Sequence, residues 1–512
     1  MKKPLTNTIK IGKPKILRPN FSPNVSSSQT VRSKSSSLLD SKKKDPINHE
    51  PTSTTTKTHL KGLSFPVLPM LITAKPADVD ELFIKKVKQC YQICDFSKHT
   101  TDAFIIAKDD VLREILSVLK ENYPKISNDE KIYNCIFSLI AIHILRTPSP
   151  IPPEWYSTYD YYMLTDQIVP REWVHFSLVY EIAIQFFSLP QFDPNACLPL
   201  CGDIIKLAIY KCRTTNDKEQ KKLSKLFLVL FEKVPKLQQF AINVAIFSLT
   251  RIIYENEPFT SAKPILYALT GIIAGFPKPL KPRHLKIFHE VILPLHKNNY
   301  LRYFARELFS CVTQFLEHDH QLVIDVLKVI LHNWPVMHPE KQIIFIDEIA
   351  LLSSFVDETF LKECIRLICP QLMRSLNGCH AAISEKVLSM WEVNDFVWLM
   401  TIEPSVSYPL IIPTLYEVGM TYWNPEIRLI VSAVLNVLHK NNKEIFMATG
   451  ENLKKLKSVS LMNGLTRAAK WKYLIITFEE NPKQKRWELH LLSMLFEGLE
   501  SIDPYSRKLN QS

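Results

Sequence analysis

The chain has 512 residues, 46% of them hydrophobic, only ten glycines, and a formal net charge of +12. Ten glycines is about 2% of the chain against an ordinary share of about 7%, which argues against turn-dense β architectures and leaves glycine-rich phosphate loops poorly supplied. The length suits either several domains or one elongated helical array that escapes the size limit of a single core.

Residues 1–62 are rich in Lys, Ser, Thr, Pro and Asn, with runs such as Ser26-Ser27-Ser28 and Thr54-Thr55-Thr56. Such a segment cannot bury enough apolar surface to fold, so a disordered basic tail is expected. It holds 13 Lys and Arg against three acids, Asp40, Asp45 and Glu50, and so carries ten of the twelve net charges. The basicity therefore belongs to the tail, and the body gives no sign of a nucleic-acid partner. Lys42, Lys43 and Lys44 form a candidate targeting run, whose bland alternative is a solubilising patch. No aromatic residue interrupts it to stack on bases. Asn24-Val25-Ser26 matches a glycosylation sequon and is discounted. The start Met1-Lys2-Lys3-Pro4 is followed by no apolar run, and no stretch of 18 uncharged apolar residues occurs later. A soluble protein of the cytoplasm or nucleus, without membrane contact, is expected.

From residue 63 onward, helical periodicity recurs. A proline-rich interruption, Thr147-Pro148-Ser149-Pro150-Ile151-Pro152-Pro153 with the Tyr-rich residues 155–162 behind it, reads as an inter-helix loop. Leu301, Phe304, Ala305, Leu308, Phe309 and Val312 share one helix face. Val323, Val326, Leu327, Ile330, Leu331 and Trp334 repeat that spacing, as do Ile427, Ile430, Val431, Val434, Leu435 and Leu438. Short breaks separate the blocks at Pro277-Lys278-Pro279, His318-Asp319-His320, residues 335–339, Asn394-Asp395 and Asn424-Pro425.

Helix pairs are thus expected to begin near residues 237, 282, 320, 357 and 408. A spacing of about 40 residues is the period of HEAT or armadillo repeats. The predicted fold is all-α, a HEAT/armadillo-like α-solenoid of stacked antiparallel helix pairs over 63–447, with an extended surface for holding partners. An irregular all-α globule is the competing reading. Residues 448–512 are expected as a C-terminal helical extension, a possible cap, in which residues 487–496 look like one more amphipathic helix.

Chemistry is sparse. No phosphate loop, dinucleotide fingerprint, zinc-protease helix or nucleophile elbow is present. His318-Asp319-His320 is the most metal-like cluster and is expected to be a solvated turn. Asp347-Glu348 and Glu479-Glu480 place carboxylates side by side, where adjacent residues on a helix point apart, so both are read as surface charge. The ten cysteines contain no C-x-x-C pair and are read as buried small hydrophobes in a reducing compartment. No enzyme, cofactor or metal is expected.

Specific strings then carry a family likeness. Glu81-Leu82-Phe83-Ile84-Lys85-Lys86-Val87-Lys88-Gln89-Cys90, closing on Cys94-Asp95-Phe96, is followed in order by Arg146-Thr147 and by Trp173-x-His175 leading to Leu178-Val179-Tyr180-Glu181. Next come Phe192-Asp193-Pro194-Asn195, Ile253-Tyr254-Glu255, Ile272-Ile273-Ala274-Gly275-Phe276 with Pro279-Leu280-Lys281, and Leu293-Pro294-Leu295-His296. The order continues through Gln314-Phe315-Leu316-Glu317, Asn333-Trp334-Pro335, the run from Ala381 to Trp391, Tyr416 and Trp423-Asn424. Over residues 63–447 the chain resembles the B-prime regulatory subunits of protein phosphatase 2A, as a divergent member. The resemblance implies a HEAT-like solenoid that binds the phosphatase's scaffold and catalytic subunits in a heterotrimer and directs substrate choice and location. Another HEAT-repeat adaptor or transport receptor, not bound to phosphatase, is the alternative.

The resemblance also implies a groove that grips short substrate motifs of leucine or isoleucine plus glutamate, and here the chain departs from the family. Where relatives show His-Arg, Tyr and a further Arg, this chain reads Leu228-Val229, Phe231 and Gln238. The acidic position on the next helix reads Tyr267 beside Ala268. Ile272, Lys281 and His284 fit the pattern. Weakened or altered motif reading is expected, against the alternative that Leu228, Val229 and Phe231 simply extend the core. The 147–170 loop, strongly acidic in relatives, has few acids here.

Overall fold

The computed structural model describes residues 66–94, 96, 102–123, 125–127, 129–144, 172–255 and 257–479. The basic tail, the proline-rich 147–170 loop and residues 487–496 lie outside them. The described residues form helices and no strands. In chain order the α-helices are α1 Val79–Gln89, α2 Asp102–Glu121, α3 Glu130–Ile144, α4 Trp173–Ser188, α5 Leu198–Lys211, α6 Asp217–Lys233, α7 Gln238–Tyr254, α8 Ala262–Ala274 and α9 Pro282–Ile287. They continue with α10 Ala305–His318, α11 Leu322–His332, α12 Pro339–Leu352, α13 Leu361–Leu376, α14 Ala381–Ser389, α15 Asn394–Thr401, α16 Pro404–Thr421, α17 Pro425–Asn441 and α18 Lys443–Glu479.

Helices pack on chain neighbours, as α5 does on α6 and α16 on α17, and on the helix after next, as α1 does on α3. One row runs α2, α4, α6, α8, α10; α11, α13 and α16 follow one another in the other, where α5 packs on α7. α12, α14 and α17 likewise follow one another. Two rows of helices advancing one pair at a time make an all-α solenoid. Pairs begin at residues 238, 282, 322, 361 and 404, within four residues of the sequence-based expectation. The largest shift has a local cause. Proline suits the first turn of a helix, so α16 opens at Pro404, and Pro409 and Pro413 lie inside it. Asn394 does not break the stack; it opens the extra short helix α15. Asn424 does act as a break, accepting a hydrogen bond from Glu426 N at 2.9 Å as the N-cap of α17.

Most members of the apolar faces expected from spacing are buried, although Leu301 and Phe304 precede α10, Trp334 follows α11, and Phe309, Leu331 and Trp334 are half-buried. Leu301, Phe304, Ala305, Leu308 and Val312 are buried, as are Val323, Val326, Leu327 and Ile330. Each Leu, Val, Ile or Phe among them contributes about 1.5–3 kcal/mol on leaving water. Nine of the ten cysteines are buried. Cys379 departs from that expectation because it sits in the turn between α13 and α14, where its carbonyl accepts the Trp423 indole N–H at 3.2 Å.

Polar ties join successive repeats at one repeat's length. Gln220 donates to Thr260 O, Ser224 to Pro264 O, Lys278 to Glu317 O, Lys341 to Lys297 O and Asn298 O, and Asn441 to Thr401 O, while Ser384 and Tyr422 share a hydroxyl bond. These partners are 38 to 44 residues apart in sequence.

Asp347-Glu348 corrects the surface-charge reading. Asp347 pairs with Lys386 at 2.5 Å, whereas Glu348 is 1% exposed. Its carboxylate lies 3.0 Å from Nε2 of His296, itself fully buried, and His296 Nδ1 donates to Leu293 O at 2.8 Å. Burial alone would lower the His296 pKa; the Glu348 charge and hydrogen bond, with the Leu293 carbonyl, outweigh it and hold the imidazole above its ordinary 6.5. Burial also lowers nearby Lys341 to about 8.

A raised folded-state pKa means that the pair's stabilisation is complete below pH 6.5 and fades as pH rises through the folded value. Glu348→Ala, which strands the buried imidazole, is expected to cost about 3–5 kcal/mol. The wild-type advantage in chemical unfolding should be larger at pH 6 than at pH 9.

Candidate functional groove

The positions singled out in sequence fall on α6, the α6–α7 junction, α8 and the start of α9. Three ties hold α6 and α8 in parallel register: Lys263 to Asp217 at 2.5 Å, Gln220 to Thr260 O at 3.2 Å and Ser224 to Pro264 O at 2.9 Å. The next turn of that register brings Leu228 to Gly271, where a Cβ would lie 3.8 Å from Leu228 Cδ2. Leu228, Val229 and Phe231 are half-buried and pack against the core.

Gln238 is committed locally. Its Nε2 donates to Phe231 O at 3.1 Å, across the short 3-10 turn Pro235–Leu237. A carbonyl in the last turn of α6 lacks an intrahelical donor, and this amide supplies one. On α8, Tyr267 is 60% exposed, whereas Ala268 and Ile272 are buried in the core. The structure thus brings Leu228 against α8 and joins Phe231 to Gln238, while Ala268 and Ile272 are buried in the core and not presented at the surface.

Lys281 is exposed and N-caps α9, its carbonyl accepting from His284 N at 2.8 Å. His284 is 3% exposed and stacks on Phe276 with ring centroids 3.9 Å apart. Arg283 Nε donates to His284 Nε2 at 3.2 Å, so that nitrogen is an acceptor. Burial, then the charges of Arg283 and Lys281 and neighbouring His318, lower the His284 pKa. The ring is therefore neutral at pH 7. Of the nine singled-out positions, only Lys281 carries charge there.

Sequence reasoning missed the cleft that α9 makes with α7. It encloses about 230 Å³ and is lined by Asn243, Ile246, Arg283, Lys286, Ile287 and Glu290, among others, with Arg283 Nη1 donating to Gln239 Oε1 at 3.1 Å. A signal existed in Ile242, Ile246 and Ile287, which leave polar neighbours at one-turn spacing. The metal-like His318-Asp319-His320 cluster is divided: His318 bonds Ile273 O and His320 faces Asp357. Among the described residues no group of three or more His, Cys, Asp or Glu is placed to hold a metal ion, and no described helix is long and apolar enough to cross a membrane. Lys42, Lys43 and Lys44 lie outside the described residues.

Replacing Gln238 with Ala should cost about 0.5–1.5 kcal/mol of stability, the net value of one such bond, measurable by urea unfolding.

Comparison with known proteins gives this helical stack relatives. Residues 68–478 match the family model described as protein phosphatase 2A regulatory B subunit (B56 family). The human serine/threonine-protein phosphatase 2A 56 kDa regulatory subunit, alpha isoform, is 27% identical over 414 residues, covering 80% of this chain and 83% of that protein. The B' eta isoform of the 59 kDa regulatory subunit from Arabidopsis thaliana is 26% identical, covering 80% and 81%. The delta 2 isoform of the 56 kDa regulatory subunit from Schizosaccharomyces pombe is 26% identical, covering 76% and 62%. The family match begins within a few residues of the first described helical turn and ends one residue before α18 does, so the whole described stack belongs to the B56 family of protein phosphatase 2A regulatory proteins.

Proposed function

We propose that this chain is the non-catalytic regulatory subunit of a protein phosphatase 2A heterotrimer, binding its scaffold and catalytic subunits and selecting substrate proteins in the cytoplasm or nucleus. The observation that carries this reading is the family match across the described repeats. A solenoid whose repeats contact only their neighbours leaves a long surface on each row for separate partners, which suits an adaptor. The tagged chain, recovered from extract of its own cells, should bring down scaffold and catalytic subunits in near-equal amounts together with phosphatase activity. Recovery of neither would mean that the fold has been kept for other partners.

Substrate reading is proposed to differ from that of relatives. At the groove, Leu228, Val229, Phe231 and Gln238 provide no guanidinium, and the Gln238 amide is spent on a backbone carbonyl. Each lost charge-assisted hydrogen bond removes about 1.5–3 kcal/mol, or roughly 10–150-fold in affinity. A peptide of the leucine/isoleucine-plus-glutamate type should bind at least tenfold more weakly than to a typical family member. Val229→Arg with Gln238→Arg should recover part of that loss. A fluorescence anisotropy titration checks both, and ordinary family affinity in the unaltered chain would sink the idea.

A further inference from the structure

The outer face of α6 carries a basic stripe. Lys218, Lys221 and Lys225 recur at i, i+3 and i+7 and are exposed. Lys222 lies on the side of that face turned to α4, where it pairs with Glu181, and Lys221 shares Asp217 with Lys263 on the side turned to α8. Lys120, exposed at the end of α2, makes its charge felt at Lys222. Burial first, then the charges of Lys225 and Lys120, lower the Lys222 pKa. The packed row α2, α4, α6 thus gathers Lys120, Lys222 and Lys225.

These charges do not serve the helix that bears them. Like charges at i, i+4, as in Lys218 with Lys222 and Lys221 with Lys225, destabilise a helix. Asp217 and Glu181 answer Lys221, Lys263 and Lys222, whereas among the described residues Lys120, Lys218 and Lys225 have no carboxylate partner. The face therefore has cations to spare for an outside anion.

The stripe runs directly into the groove. Lys225 precedes Leu228 and Val229 by about one turn, roughly 5 Å along the axis. Both of those side chains are half-buried. Ser224 lies level with Pro264 of α8, and Leu228 with Gly271. Tyr267, about one turn from each of those α8 residues and 60% exposed, stands on the same side of α8 across from Lys225 and Leu228. Lysines and an apolar shelf therefore adjoin. Glu232, exposed on the same face two turns beyond Lys225, disfavours a negative ligand at that far end. From Lys218 to Lys225 the helix rises about 10 Å, a distance that three or four extended residues span. Lysine is a point charge on a flexible stem, which suits a run of carboxylates better than one carboxylate held in fixed bidentate geometry.

We propose that this stripe extends the groove and reads acidic substrate. Lys225, with Lys120 and Lys222 beside it, takes a run of Asp or Glu side chains whose neighbouring apolar residue seats on Leu228, Val229 and Tyr267. The inference rests on the altered substrate reading proposed above and names the substrate class for it.

Fluorescence anisotropy on the isolated full chain tests this with two labelled peptides of equal length. One carries a Leu-Ile pair followed by four Glu, and the other the same pair followed by one Glu and three Gln. The four-Glu peptide should bind about tenfold tighter. K120E/K225E should abolish that gain and K120R/K225R should keep it. Neither lysine has an ion-pair partner to lose, and an unchanged urea midpoint verifies the fold. K454E/K455E alters net charge equally at two exposed positions of α18, at the other end of the stack, and should leave the gain intact. Equal binding of the two peptides would overturn the inference. A loss in K454E/K455E as large as in K120E/K225E would also overturn it, because net charge alone would then explain the effect. Both readings are made without phosphatase present, so they stand apart from failure to recover scaffold and catalytic subunits from extract, which would overturn the assembly instead.

Discussion

Everything in this protein depends on one constraint: a pair of short helices cannot bury its own apolar stripe. The faces carried by Leu308 and Val312, or by Val323, Val326 and Ile330, become dry only when the next pair arrives. The 40-residue period is thus a consequence of where burial is completed, and the sequence must supply a fresh stripe at each step. The polar ties then select one register among the sliding alternatives that apolar contact alone would tolerate.

Between α6 and α8 the side chains that hold the helices together are separate from those proposed to read substrate. The ties from Asp217, Gln220 and Ser224 to α8 are independent of what stands at 228, 229 and 238. Leu228 can therefore rest against Gly271, and Gln238 can close the end of α6, without disturbing the stack. The electrostatic character of the site is carried by a handful of side chains, and the positions of those side chains are carried by others.

Helix existence and period were legible because they are repeated many times along the chain. The start of α16 was misplaced because the apolar pattern outweighed Pro404, whose ring prefers a first turn. The buried His296–Glu348 pair was not legible, since its members are 52 residues apart and each alone resembles ordinary surface polarity. Adjacency on a helix correctly separated Asp347 from Glu348, but adjacency does not say which of the two faces inward. Among the nine singled-out positions, order along the chain could not separate exposed Tyr267 from its buried neighbour Ala268. That distinction is a matter of helix rotation, which only packing decides.

The ladder of polar ties has a mechanical meaning. Each tie crosses a single joint between repeats, and the joints lie in series, so a small change of angle at one adds to those at the others. Two surfaces several repeats apart can be brought nearer or farther by distortions too slight to break any one bond. A string of stiff links with yielding hinges would let one fold gauge partners of different breadth.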